Sequence, residues 1–145
     1  MVAICREPID VLKWTRKVED PHAGAFVTFE GRVRDHSEGG AVASLAYEAY
    51  EALAVREGER ILQEARERFQ VEKAALVHRG GELAIGECAV WVGVSAAHRR
   101  EAFAACQYVI DELKERLPIW KRERYAGGGS VWVGDPSMTT EAAGE

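Results

Sequence analysis

"LKERLPIWKRERYAGGGSVWVG", residues 113–134, puts a helix end, a corner and a hairpin into one run. Pro118 has no amide hydrogen and its ring clashes with a preceding helical turn, so a helix arriving through Leu113 and Leu117 stops there. "IWKRERY" at 119–125 and "SVWVG" at 130–134 then read as two strands closed by the turn "AGGG" at 126–129. A strand returning through so short a turn runs antiparallel to its neighbour, whereas a parallel partner needs a long crossover.

The rest of the chain follows the same preference. A short helix is expected over Leu12 to Val18, with "DPHAG" at 20–24 as a turn. "AFVTFEGRVR" at 25–34 alternates and is rich in β-branched and aromatic residues, the pattern of a strand. After a flexible loop "DHSEGG" at 35–40, "VASLAYEAY" at 42–50 places Ala43, Leu45, Tyr47 and Ala49 on one face of a second strand. Between Leu53 and Phe69, Ala54, Gly58, Ile61, Leu62, Ala65 and Phe69 recur at helical spacing opposite a charged side. "AALVHR" at 74–79 and "GECAVWVGV" at 86–94 are two more strands around a Gly80-Gly81 turn. Ser95 is then expected to cap a helix running to Leu117, whose Phe103, Cys106, Ile110, Leu113 and Leu117 make an apolar stripe for a core or a dimer seam. Hairpin signals outnumber crossover helices. The expectation is an α+β fold with a mainly antiparallel sheet and two main amphipathic helices.

At 145 residues and 47% hydrophobic content the chain fits one domain over 1–134, with "DPSMTTEAAGE" at 135–145 as a mobile tail. Its 24 acidic and 19 basic residues leave a net charge of −5, which disfavours binding nucleic acid by broad phosphate neutralisation. No apolar run approaches the roughly 18 residues of a membrane span, and Met1 to Asp10 lacks the regions of a signal peptide, so a cytoplasmic location is expected. Cys5, Cys88 and Cys106 are odd in number without CxxC spacing, arguing against a disulfide framework and a zinc site. His22, His36 and His78 also lack metal-ligand spacing, and "AGGGS" has no lysine or helix to make a phosphate loop. No metal and no cofactor is assigned.

The remaining chemistry lies with cations. His98, Arg99 and Arg100 fall in a helix's first turn, where positive charge opposes the macrodipole. Such a conflict marks either an anion pocket or a set of solvated surface groups. Arg32 and Arg34 share a strand face at the mouth of the glycine loop, as an anion-holding fork or as a solvent-facing pair. Lys114 is favourable at its helix end. Lys121 shares a strand face with Ile119 and Glu123, with Trp120 on the other, and is either a reactive lysine or one half of a salt-bridged strand.

Together and in order, "GAFVTFEGRVRDHSEGG" at 24–40, "VHRGGELAIGE" at 77–87, "VWVGVSAAHRREAF" at 90–103 and "LKERLPIWKRE" at 113–123 resemble the large, catalytic subunit of molybdopterin synthase. The resemblance spans about residues 24–134. It implies an α/β hammerhead with added antiparallel strands and a sulfurtransferase that converts a cyclic pyranopterin monophosphate into the dithiolene of molybdopterin. Sulfur is implied to arrive as a thiocarboxylate on the C-terminal glycine of a small ubiquitin-like sulfur-carrier subunit, within a heterotetramer built on a dimer of the large subunit. By the same resemblance Lys114 and Lys121 are catalytic, and Arg34, His98 and Arg99 bind substrate.

One geometric point is independent of the resemblance. His98 and Lys114, sixteen residues apart on one expected helix, are separated by about 24 Å of helical rise. If both serve one site, one of them comes from another copy of the chain. Two other classes stay open: a non-catalytic module that binds a phosphorylated ligand or a partner's tail, and a hydrolase or acyl-transfer enzyme using a cysteine and one of His36, His78 or His98.

Overall fold

Two strands buried on both faces form the centre of the molecule. β5 (Val71–Arg79) and β7 (Cys88–Ala96) pair antiparallel, with Leu76 opposite Val92 and Val77 opposite Trp91. The computed structural model describes residues 1–133, so the expected tail at 135–145 lies outside the described residues. β1 (Val2–Cys5) runs parallel to β5 and β2 (Ala25–Arg32) antiparallel to β7, giving the order β1-β5-β7-β2.

Both faces of this sheet are covered, which is why β5 and β7 lack clean alternation. On one side, α2 (Glu51–Phe69) and α3 (Arg99–Arg116) lay Ile61, Leu62, Cys106, Val109 and Leu113 over Leu76, Val90, Val92 and Val94. On the other, α1 (Val11–Val18) packs Val18 and Trp14 against Ala75, Val77 and Trp91, after Asp10 caps it by accepting from the Lys13 amide at 3.1 Å.

The second sheet carries the site. β4 (Gly40–Ala49) pairs with β8 (Ile119–Tyr125), which pairs with β9 (Ser130–Val133); β3 (His36–Ser37) and β6 (Gly81–Ala84) also pair with β4. Its own small core is Val33, Val42, Leu45, Tyr47, Leu83 and Ala89. Among the described residues β1 with β5 is the one parallel pair, so the α+β class with mainly antiparallel pairing and two main amphipathic helices is what forms.

Several local expectations are corrected. Ser95 is not a cap: it is fully buried in β7, its hydroxyl donating to the Lys73 carbonyl, and His98 stands at the cap position without a side-chain cap bond. Residues 35–40 form a tight hairpin rather than a loose loop, with His36 opposite Ala41 and Ser37 opposite Gly40. A β-bulge between Val42 and Ser44 puts Val42, not Ala43, in line with buried Leu45 and Tyr47. Gly81, at φ +82°, starts β6 instead of turning β5 straight back onto β7. Phe103, placed on the apolar stripe, is 63% exposed, while Ala102 and Ala105 take the buried positions around Cys106.

Candidate active site

The corner at Pro118 brings the two lysines to one place. α3 ends at Arg116, Leu117 takes the extended conformation a residue before proline prefers (φ −72°, ψ 133°), and β8 begins at Ile119. The Tyr50 amide then donates to the Pro118 carbonyl at 3.1 Å, and β8 runs along β4 with Lys121 opposite Tyr47 and Glu123 opposite Leu45. Arg116 fixes the helix end: its guanidinium reaches Glu57 at 2.7 Å and Glu64 at 2.7 Å on α2. That pairing holds the Glu64 carboxyl down at about 2 and anchors the turn carrying Lys114.

Two adjoining cavities meet at this corner. One, of about 240 Å³, is walled by Leu113, Leu117, Ile119 and Val133, with His78 and Trp120. The other, of about 170 Å³, is polar and lined by Arg32, Arg34, His36 and Glu123. Tyr47, Lys114 and Lys121 border both. Trp120, expected to face away, borders the first cavity and meets Tyr50 edge-on at 5.1 Å.

The electrostatics follow from this crowding. Lys114 is exposed as a whole residue, yet burial around its ammonium, and then the charge of Lys121, lower its pKa. Burial pushes Tyr47 up to about 12, with Glu123 adding to the effect. Burial also pushes His78 down to about 4, against the hydrogen bond to the Arg79 carbonyl and with help from Lys114. A lysine with a loosened proton thus lies between an arginine-lined wall and a more apolar cleft. That arrangement suits transfer chemistry on an anionic substrate.

Of the five residues singled out from the sequence, Lys114, Lys121 and Arg34 share the polar cavity. His98 and Arg99 do not join them: both are exposed at the start of α3, at the far end of a helix from Lys114, with about 24 Å of rise between His98 and Lys114. Arg100 borders a separate pocket with Glu67, Arg68 and Gln70. Arg32 and His36 enter the site with Arg34, and Asp35 lies 2.8 Å from His36 Nδ1. Tyr47 was not singled out because a tyrosine in an apolar strand reads as core, and His78 was weighed only as a metal ligand or as the partner of a cysteine, not beside the lysines. The signal available was His78 ending an otherwise apolar run in "AALVHR".

The thiols are poorly placed for nucleophilic work. Burial pushes Cys106 up to about 11 and raises Cys5 and Cys88, and none of the three borders the lysine cavities. No group of three or more His, Cys, Asp or Glu side chains suited to a metal ion occurs among the described residues. No described helix is long and apolar enough to cross a membrane.

Fold and site define a small α+β protein with a lysine pair set between an arginine-lined pocket and an apolar cleft. Residues 4–116 match the MoaE protein family, and the chain belongs to that family. It is 43% identical over 131 residues, 90% of its length and 96% of the relative's, to the molybdopterin synthase catalytic subunit of Thermoplasma volcanium. To the protein of the same name from Pyrococcus abyssi it is 47% identical over 116 residues, 80% of this chain and 78% of the other. The crystal structure of molybdopterin synthase from Staphylococcus aureus superposes with a TM-score of 0.86 at 36% identity, covering 91% of this chain and 96% of that one. A complex of subunits 1 and 2 of molybdopterin-converting factor from Helicobacter pylori shares the fold, with a TM-score of 0.75 at 21% identity, over 96% of this chain and 94% of that one.

Proposed function

We propose that this chain is the catalytic subunit of a molybdopterin synthase, a cytoplasmic sulfurtransferase of molybdenum cofactor biosynthesis. The observation that carries this reading is the shared wall: Lys114 and Lys121 border both a polar, arginine-lined cavity and an apolar one. Two reactants with different surfaces can therefore meet at one pair of ammonium groups.

Arg34 binds the phosphate of the cyclic pyranopterin in the polar cavity, and His98 and Arg99 of a second copy complete that pocket. The apolar cavity receives the C-terminal tail of a small ubiquitin-like sulfur-carrier subunit. The thiocarboxylate sulfur bonds to a substrate carbon as a carbon–oxygen bond at that carbon breaks, the departing oxygen taking up a proton. Water then adds to the acyl carbon, the acyl carbon–sulfur bond breaks, and the partner leaves as a carboxylate with its sulfur on the pterin. A second carrier repeats the transfer and completes the dithiolene. Lys114, its pKa lowered by burial and by Lys121, gives up its proton more readily than an ordinary lysine and in its charged form stabilises the acyl oxyanion. Lys121 orients substrate and shares the proton work. Two large and two small subunits make a heterotetramer around a dimer of this chain.

Reconstitution tests this directly: purified chain, thiocarboxylated partner and cyclic pyranopterin monophosphate should yield a dithiolene product. A Lys114→Ala protein that binds both reactants without making product separates catalysis from a mere binding module. Absence of product from a folded dimer with a verified thiocarboxylate overturns the reading.

A further inference from the structure

His78 borders the apolar cavity but has no part in the transfer just described. Only 4% exposed, it lies near the end of β5 and meets the Tyr47 ring edge-on with centroids 4.9 Å apart. Its Nδ1 is 2.8 Å from the Arg79 carbonyl oxygen. A carbonyl only accepts, so the ring proton sits on Nδ1 and Nε2 carries the lone pair. The neighbouring backbone is held firmly, because the buried Arg79 guanidinium donates to Glu87 at 2.9 Å and to the Arg6 carbonyl at 3.0 Å. Nε2 has no hydrogen-bond partner among the described residues, and it is not among the buried polar atoms sealed away without one. It is an uncharged acceptor open to the cavity that His78 lines.

The surroundings select what can fill it. An anionic oxygen cannot bond to a lone pair, and a cationic donor is repelled by Lys114 and Lys121 on the same cavity. A neutral donor, an N–H or an O–H group, remains. The apolar walls at Leu113, Leu117 and Ile119 suit an extended peptide better than a phosphorylated ring, for which the arginines lie on the other side of the lysines. We propose that Nε2 of His78 accepts a hydrogen bond from a backbone amide of the carrier subunit's C-terminal tail, registering the tail so that its terminal group reaches Lys114 and Lys121. This rests on the sulfur-transfer reading of the site. His78 is a binding and positioning residue in it, not a proton carrier.

The ¹⁵N resonance of His78 Nε2, followed in ¹⁵N-histidine-labelled chain, reads this contact without any substitution. It should move on adding the carboxylate form of the small subunit with its tail intact. It should stay in place on adding the same subunit lacking its last residues, or the pyranopterin alone. Movement with the pyranopterin alone, equal movement with the truncated subunit, or none with bound intact subunit overturns the assignment of His78. If the intact and truncated subunits bind wild-type chain equally tightly, the tail site of the proposed function itself fails. A second measurement uses variants: His78→Leu should weaken binding of the intact subunit about tenfold, as for one hydrogen bond left unmade, and leave the truncated subunit unaffected. His78→Gln, which keeps an acceptor, should recover most of the loss. In turnover His78→Leu should raise KM for the thiocarboxylated carrier with kcat largely retained; a fall in kcat alone contradicts a tail-positioning role.

Discussion

Lys114, on the last turn of α3, has its pKa lowered by burial and then by the charge of Lys121, which reaches it from β8 across the Pro118 corner. The two ammonium groups are thus an electrostatic pair although a helix end and a proline separate them in the chain. Replacing Lys121 by Gln removes the like charge and leaves the burial, so the pKa of Lys114 should rise. A step that uses the neutral amine should then shift its pH–rate profile to higher pH, with kcat falling at neutral pH. An unmoved profile in Lys121→Gln would show that the pair is not coupled in turnover.

Arg34 borders only the polar cavity, so its loss should be felt by the phosphorylated substrate and not by the carrier's tail. Arg34→Ala should raise KM for the pyranopterin roughly 10- to 100-fold, the worth of a hydrogen bond to a charged group, with KM for the carrier unchanged. Steady-state kinetics with each reactant varied in turn decide this. Equal rises in both constants would mean that Arg34 supports the fold of the site.

Elements with a strong local period were legible in the chain: α2 from its apolar spacing, β8 and β9 from a glycine turn between strands. β6 was not, because its partner is β4, far upstream, and "GG" before it reads as a hairpin turn. Ser95 misled for a related reason. Its hydroxyl suits a helix cap, but pairing of β7 with β2 and β5 carries the strand through Ala96 and moves the cap to His98. Lys114 and Lys121 were legible as a pair about the proline corner and Arg34 as a cation at the mouth of a glycine loop, whereas His98 and Arg99, conspicuous for opposing the macrodipole, lie at the far end of α3 from the lysine cavities. Tyr47 and His78 carry no such mark: by burial they are core residues, and only the cavity beside them gives their polar atoms a task.

The distance between His98 and Lys114 makes a prediction about assembly. If the substrate pocket takes His98 and Arg99 from a second copy, a His98→Ala/Arg99→Ala chain and a Lys114→Ala chain should each be nearly inactive alone. Mixed and allowed to exchange subunits, half of the dimers are hybrids with one intact site in two, so about a quarter of the wild-type rate should return. Product formation in the mixture measures it. No recovery, with hybrid dimers verified by native mass spectrometry, would place all the residues within one copy or remove His98 and Arg99 from the site.

His78 also sets a pH dependence of stability. Its pKa is about 4 in the folded chain, against an ordinary value of 6.5, because burial disfavours the charged ring and Lys114 adds to the effect. The groups around it are Tyr47 on β4, Arg79 beside it on β5 and Lys114 on α3, and none is an anion that would rescue an imidazolium. Between those two pKa values the unfolded chain binds the extra proton and the folded chain does not, so stability rises with pH across that window. The contribution is complete above about 6.5 and is lost progressively as pH falls toward 4, by an amount on the order of 3 kcal/mol at most. Glu64, held at about 2 by Arg116 and Tyr108, loses its stabilisation only at lower pH, as it protonates below its ordinary 4.5, so the two windows barely overlap. Urea unfolding of wild type and His78→Gln at a series of pH values from neutral to about 4.5 separates them, because Gln cannot titrate. The variant should lose less stability than wild type on acidification, and parallel curves would show that His78 is not held neutral by the fold.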